Sequence, residues 1–584
     1  MFSLPKSRSA GLAKAAAMAG VFLTGSLALA QDAAPAVAAV APAPAIDSGS
    51  TAWMLVSSAL VLLMMPGLAL FYGGMVRAKN VLNTFLNVMV CCGVMGVLWV
   101  VIGYALVFPV VDQPDGSVKA LITMGQNDYD GTKATVSILG FDPNLMFLKA
   151  FKDGYGGILT SGDTVGAVPT GVPELIFAMF QGMFFIITPA LIVGSVVERV
   201  RFAPLLIFLS LWSLIVYAPM AHMVWNVNGY LFQKGVLDFA GGTVVHVLAG
   251  VSALALTIVV GPRKGYGRRA MPPHSLGLTL IGAGLLWFGW FGFNAGSAIG
   301  IGKDFLPVSG SVAGLAFANT QICAAAAALS WMLVEWLKDG KPTILGFASG
   351  MVAGLVVITP CAGHVAPASS IFLGLLGGAV CYFGCQLKKL FKYDDSLDAF
   401  GVHGIGGALG AVLVGLFAIR PVGGMEQFGK QLLGVGIAVV FAFVVSLILG
   451  YAVKAIFGLR VKESEEEEGL DYAIHGESGY NLSEALGAVA GESLPTPAAI
   501  AGSSRRFSVV VEGPSPKELI TVWSDLCGKP TAAAEFKNLY PYVTTVQGNK
   551  FRFRGGDPTI MVEGLKKIFS SSNNSPPVTA RIEM

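Results

Sequence analysis

The sequence predicts an all-α polytopic membrane protein of about 11 transmembrane helices, followed by a small α/β domain of ferredoxin-like order. Three observations carry this. Of 584 residues, 54% are hydrophobic and only 12% charged, with a mean hydropathy of +0.69; soluble domains carry about 25% charged residues. Apolar stretches long enough to cross a bilayer, roughly 20 residues each, begin near residues 51, 83, 173, 202, 239, 274, 313, 343, 365, 399 and 429. Beyond the last of them, residues 505–584 change to alternating strand and helix signals. The net charge of +3 argues against a nucleic-acid partner. Six of the seven cysteines lie in or beside apolar spans without metal-ligand spacing, so they read as packing residues.

The chain opens on a basic stretch, "MFSLPKSRSAGLAK", then an apolar run ending in Ala28-Leu29-Ala30. That pattern reads as a secretory signal over residues 1–30, with an uncleaved anchor as the alternative. The Ala/Pro-rich residues 31–49 read as a periplasmic leader. Residues 50–460 read as the membrane domain, and the 74 glycines of the whole chain, many of them in the spans, suit close helix packing. Lys/Arg bias places Arg77, Lys79, Arg199, Arg201, the "RKGYGRR" loop, Lys338, Lys341, Lys388, Lys389 and Lys392 on one side. By the positive-inside rule that side is cytoplasmic, the amino terminus is periplasmic, and the membrane is the cell inner membrane. A polar loop over roughly 110–171 reads as an outer surface insertion, with a vestibule or a subunit contact as the alternative. Spans one to five and six to ten read as a 5+5 inverted repeat, each half ending in a helix that bears a histidine. These are His246 in "DFAGGTVVH" and His403 in "DAFGVHGIGG"; such repeats often hold the site at their interface.

After the last span comes a charged tail and linker, residues 461–504. In residues 505–584, Ser515, Pro516 and Glu518 signal a helix start. "YVTTVQGNKFRFRG" reads as a hairpin turning at Gly548-Asn549, and Asp557-Pro558 opens a second helix. The order β-α-β-β-α-β is that of a ferredoxin-like fold, which by itself names no function.

The ionisable residues inside the spans carry the chemistry. Paired imidazoles can pass a hydrogen bond between them while one nitrogen faces a narrow lumen, and burial favours the neutral form that accepts a proton from a cation. Asp238 lies eight residues before His246, about 12 Å along a helix. It belongs near the mouth, either as a helix N-cap or as a source of negative potential for a cation losing water. Trp225, Phe180, Phe184 and Phe293 place aromatic faces at the same end, with Ser297 one helical turn beyond Phe293. A desolvated small cation gains about 2 kcal/mol or more from such a face, and a serine hydroxyl can accept one of its hydrogen bonds. Core packing is the competing reading, and it is the one preferred for Phe180.

With these segments in place, the chain resembles the ammonium transporter (Amt/Mep/Rh) family, on its bacterial branch. The matching segments are "PGLALFYGGMVRAKNVLN", "FQGMFFIITPALIVGSVVERVRF", "AHMVWNVNGY", "DFAGGTVVHVLAG", "WFGFNAGSA", "FGVHGIGG" and "EGLDYAIHGE", over roughly residues 50–480. The resemblance implies a homotrimer with one pore per subunit that takes ammonium or methylammonium. It implies a recruitment site at Trp225, Ser297 and Phe184, a pore gate at Phe184 and Phe293, twin pore histidines at His246 and His403, and a structural or electrostatic acid at Asp238. It implies no cofactor, metal or catalytic residue. Relatives are commonly controlled by PII-class signalling proteins at the cytoplasmic mouth.

Residues 505–584 lie outside the resemblance. They hold 11 Lys/Arg and 7 Asp/Glu, so "KFRFRGG" reads either as a site for a phosphate-bearing ligand or as a solvated strand. The leading expectation is ammonium uptake, conducted as ammonia after deprotonation and regulated by the fused domain. The alternative is an ammonium sensor signalling through that domain; a neutral-gas channel fits Trp225 and Ser297 less well.

Overall fold

Asp47 starts the first membrane helix, its carboxylate accepting from the Ser50 amide at 2.6 Å, as a short acid does at an N-cap. The computed structural model describes residues 46–109, 119–129, 132–151, 158–161, 168–298, 310–419, 422–480, 506–512, 543–547, 550–554, Val562, Leu565 and 579–583. The expected signal and most of the leader, the Ser515-Pro516-Glu518 helix start, the Gly548-Asn549 turn, the Asp557-Pro558 cap and the seventh cysteine, Cys527, lie outside the described residues.

The apolar helices run α1 Ser48–Met75, α2 Ala78–Val107, α3 Glu174–Val196, α4 Phe202–Trp225, α5 Gly242–Val260, α6 Leu276–Gly296, α7 Ser311–Asp339, α8 Ile344–Ile358, α9 Pro367–Phe391, α10 Phe400–Phe417 and α11 Met425–Phe457. All but the short α8 are long and apolar enough to cross a membrane. The chain is therefore a multi-pass membrane protein, and each span begins within five residues of its expected start.

The two halves face each other through corresponding helices: α1 packs against α6, and α5 against α10. Small residues set these approaches. A Cβ on Gly282 of α6 would sit 2.3 Å from the Phe71 amide nitrogen of α1, so any larger residue would separate the pair. Both α5 and α10 open with a turn of π-helix, Gly242–Val247 and Phe400–Gly404, before 13 residues of regular helix. Turns of this kind often mark functional positions.

The segment expected as a plain surface insertion is built. It holds two antiparallel hairpins, β1 Lys119–Tyr129 with β2 Thr132–Phe141, and β3 Ile158–Ser161 with β4 Val168–Pro173. Ser137 of β2 fastens the first hairpin, its hydroxyl 2.7 Å from His222 Nε2 and its amide donating to the Asn228 carbonyl at 2.7 Å.

At the opposite end, the loops between helices carry a buried ion network. Glu198 bridges Arg77 at 3.0 Å and Arg263 at 2.9 Å, and Arg263 also pairs with Asp394 at 2.8 Å. Burial pushes the Glu198 and Asp394 carboxyls up, but Arg263, with Arg77 for Glu198 and Arg199 for Asp394, more than offsets it and holds both below the ordinary range. The chain after α11 is tied to this network. The Val461 amide donates to the Arg199 carbonyl, Glu466 accepts from the Lys264 amide and pairs with Arg460, and Asp471 accepts from the Asn83 amide.

The chain divides into two compact units, Met1–Gly479 and Tyr480–Met584. The first unit runs past residue 460 because these contacts hold the start of the tail against it. In the second, β5 Arg506–Glu512, β6 Val543–Gln547, β7 Lys550–Arg554 and β8 Thr579–Glu583 form one antiparallel sheet in the order β6-β7-β5-β8. That is the strand order of the ferredoxin-like fold.

Candidate functional site

The site is built where α5 crosses α10. A Cβ on Gly250 would lie 2.0 Å from the Gly404 nitrogen, and one on Gly407 would lie 2.8 Å from His246 Cβ. Gly250 follows His246, and Gly407 follows His403, by four residues, so each glycine lies on the same face as its histidine. Glycine at these points lets the helices close until His246 Nδ1 and His403 Nδ1 stand 3.2 Å apart, rings stacked at 5.3 Å between centroids. Both imidazoles are buried.

A contact between two Nδ1 atoms fixes the proton inventory. One ring must donate an Nδ1–H and the other must offer a lone pair, so two imidazolium ions cannot coexist there. In the neutral pair, the donating ring has a bare Nε2 and its partner an Nε2–H. The pair thus turns one acceptor and one donor outward. His246 Nε2 is buried with no hydrogen-bond partner among the described residues, an omission worth about 1–3 kcal/mol unless something visits it.

Aromatic rings continue the line from the histidines. Phe293 and Trp290 stack on His246 at 6.0 and 5.3 Å. Phe184 meets Phe293 at 4.4 Å, Trp225 at 5.9 Å and Phe180 at 5.0 Å. Phe180, expected to be a packing residue, is buried against Phe184 in the same aromatic cluster. The Ser297 hydroxyl donates to the Phe293 carbonyl at 2.9 Å, which leaves its oxygen lone pairs to accept from another group. A narrow apolar cavity lined by Leu68, Ile187, Leu191, Leu286, Trp290 and Phe293 holds both histidines. A second cavity, lined by Tyr72, Ser349, Asp398 and His403 among others, lies on the side of His403 away from the Phe184 cluster. His403 lines both.

Asp238 is not on a helix. The residues after it turn through Gly241, at φ +116, and the π-turn begins at Gly242, so the expected 12 Å of helix between Asp238 and His246 is not there. The carboxylate instead lies under the start of α5. Oδ1 accepts from the Gly241 and Gly242 amides at 3.0 and 2.6 Å, and Oδ2 from Thr243 and Val244 at 2.9 and 3.0 Å. Its backbone carbonyl takes the Trp225 indole N–H at 3.0 Å. One residue thus anchors both the start of α5 and the Trp225 ring.

The second half repeats the device with a residue that the sequence alone did not single out. Buried Asp395 accepts from the Ala399 and Phe400 amides at 3.1 and 2.8 Å, eight residues before His403. The repeated spacing, Asp238 to His246 and Asp395 to His403, is the signal that would have found it. Asp398, nearer to His403 along the chain, pairs instead with Lys388 at 2.7 Å. Among the described residues no cluster of metal-ligating side chains occurs.

Fold and site together define a helical membrane protein with a paired-imidazole core and a cluster of tilted and edge-on aromatic rings beside it. A model of the Ammonium Transporter Family matches residues 52–480. An ammonium transporter of Bacillus subtilis is 42% identical over 446 residues, 74% of this chain and 99% of that protein. A putative ammonium transporter of Methanothermobacter thermautotrophicus is 43% identical over 75% of this chain and 99% of its own. Among solved structures, Saccharomyces cerevisiae Mep2 covers 72% of this chain and 91% of its own at TM-score 0.58 and 32% identity, and a structure described as a sensor Amt protein covers 73% and 98% at TM-score 0.60 and 27% identity. The chain belongs to the ammonium transporter family.

Proposed function

We propose that this protein takes up ammonium across the inner membrane and conducts it as ammonia. The cation is recruited at the periplasmic end by the Trp225 and Phe184 rings and the Ser297 oxygen. It loses water there, and Phe184 and Phe293 gate entry to the lumen. A full charge inside an apolar lumen is costly, by about 2.5 kcal/mol or more, whereas ammonia can donate to the bare Nε2 of the histidine pair and accept from its Nε2–H. The observation that carries this reading is the Nδ1–Nδ1 contact with an unpartnered Nε2. It supplies a neutral donor and acceptor and nothing that would hold a hydrated ion. Asp238 acts through structure, and water at the periplasmic end takes the proton that ammonium gives up.

Proteoliposome uptake of labelled methylammonium tests the assignment. His246→Ala and His403→Ala are each expected to lower the rate at least tenfold; unchanged rates in both would overturn it. A homotrimer with one pore per chain belongs to the same proposal, on family resemblance. The fused domain supports a regulatory role, and the likeness to a sensor Amt protein keeps sensing as the second reading. Deleting residues 505–584 separates them: altered uptake supports a valve, and unaltered uptake with lost downstream signalling supports a sensor. A PII-class partner is tested by pull-down with the same truncation.

A further inference from the structure

Taking the pore reading above as given, we infer that Thr359 is a positioning residue of the pore. Its hydroxyl holds the Trp290 indole against His246 and so fixes the imidazole that meets ammonia. The sequence repeats Ile-Thr-Pro in corresponding helices of the two halves, at residues 187–189 of α3 and at residues 358–360, where α8 ends. Both threonines donate to the carbonyl four residues back, Thr188 to Phe184 at 2.6 Å and Thr359 to Leu355 at 2.7 Å. From there the halves differ. α3 runs on through Pro189 to Val196, whereas α8 stops at Ile358.

The 15 residues of α8 rise only about 22 Å, short of a hydrocarbon core of about 30 Å. Residues 359–365 go on as buried turns before α9 begins. Irregular backbone inside a membrane domain is tolerated where protein encloses it, and broken spans often border the transport site. This break lies against both histidine helices. A Cβ on Gly242 of α5 would sit 2.4 Å from Pro360 Cγ, and one on Gly410 of α10 would sit 2.1 Å from the Val357 carbonyl oxygen. The Phe239 amide, next to Asp238, donates to the Pro360 carbonyl at 3.3 Å.

Thr359 itself meets α6. The Trp290 indole N–H donates to its hydroxyl oxygen at 2.8 Å, and both residues are buried. Its single hydroxyl proton is committed to Leu355, so Thr359 can only accept from the indole. The bonds therefore run one way, from Trp290 through Thr359 to Leu355. A flipped indole would bury an unmet N–H, which locks the ring. That ring lies within 20° of the His246 plane at 5.3 Å between centroids, as does His403 on the same imidazole. His246 cannot turn without breaking both stacks, and its unpartnered Nε2 stays in the narrow cavity that it lines.

The test is methylammonium uptake by the full chain in proteoliposomes with Thr359→Val, which keeps the shape and removes the acceptor. The maximal rate should fall roughly tenfold while apparent KM stays within about twofold, and Thr359→Ser should keep at least about half the rate. In a Trp290→Phe background, which has no indole N–H, adding Thr359→Val should change the rate less than about twofold. Thermal unfolding reports the fold. Should Thr359→Val alone not fold, Thr359→Ser and the double variant, which buries no unmet indole donor, carry the test. An unchanged maximal rate in Thr359→Val, a rise in KM alone, a roughly tenfold loss in Thr359→Ser, or a full further loss in the double variant would each overturn the assignment. Unchanged uptake in both His246→Ala and His403→Ala would instead remove the pore reading beneath it.

Discussion

Asp238→Asn is the substitution whose cost the structure states most directly. The carboxylate serves four amides, two on each oxygen. Asparagine keeps one oxygen and turns an NH2 toward two N–H donors, whichever way the amide is oriented. Two buried donors then lose their acceptor, at about 1–3 kcal/mol each, so roughly 2–6 kcal/mol in all, a large share of a typical folding free energy of about 5–15 kcal/mol. The injury is local. The π-turn carrying His246 shifts, and the carbonyl that holds the Trp225 indole moves with it. Thermal unfolding of the detergent-solubilised protein should show a midpoint lower by several degrees, and methylammonium uptake should fall at least tenfold. An unchanged midpoint with abolished uptake would refute the anchoring role and return Asp238 to a purely electrostatic one. Asp238→Glu keeps both oxygens on a longer arm and should fall between the two.

Other contacts set further outcomes. Gly250→Ala, placing a methyl group 2.0 Å from the Gly404 nitrogen, should separate α5 from α10, break the histidine contact and lose uptake while leaving recruitment residues intact. Trp225→Leu removes an aromatic face worth about 2 kcal/mol or more to a desolvated cation, so apparent KM should rise roughly 30-fold or more, and Ser297→Ala should raise it by a smaller factor; kcat changes alone would contradict both roles. Arg263→Ala leaves buried Glu198 to Arg77 and buried Asp394 to Arg199, a loss of at most about 3–5 kcal/mol, read as a lower unfolding midpoint. The same two carboxyls give a pH dependence. Their folded pKa values lie below the ordinary range, so their stabilisation is present above that range and drains away as pH falls through the lowered values. The midpoint should therefore drop on acidification below about pH 4, and Arg263→Ala should flatten that drop.

The membrane architecture was legible because an apolar run of span length has few other uses, and the paired histidines because ionisable residues there are rare. The form of the Asp238 cap was not. Nothing in "DFAGGTVVH" says that the first three residues after the acid turn before the helix begins, and a carboxylate serving four amides is a three-dimensional fact. Asp395 was hidden by a neighbour of the same type nearer to His403. The hairpin of β1 and β2 was not legible because its anchors, His222 and Asn228, lie far along the chain on and after α4. The tail's attachment was equally invisible, since Lys264, Asn83 and Arg199 meet it only after the spans assemble.

Deprotonation is the step on which the pore mechanism turns, and potassium isolates it. The ion is close to ammonium in size and can meet the same aromatic rings, but it has no proton to leave behind. Intact protein in proteoliposomes should respond to an ammonium gradient and give no potassium flux under an equal potassium gradient. Potassium flux approaching that of ammonium would contradict the account.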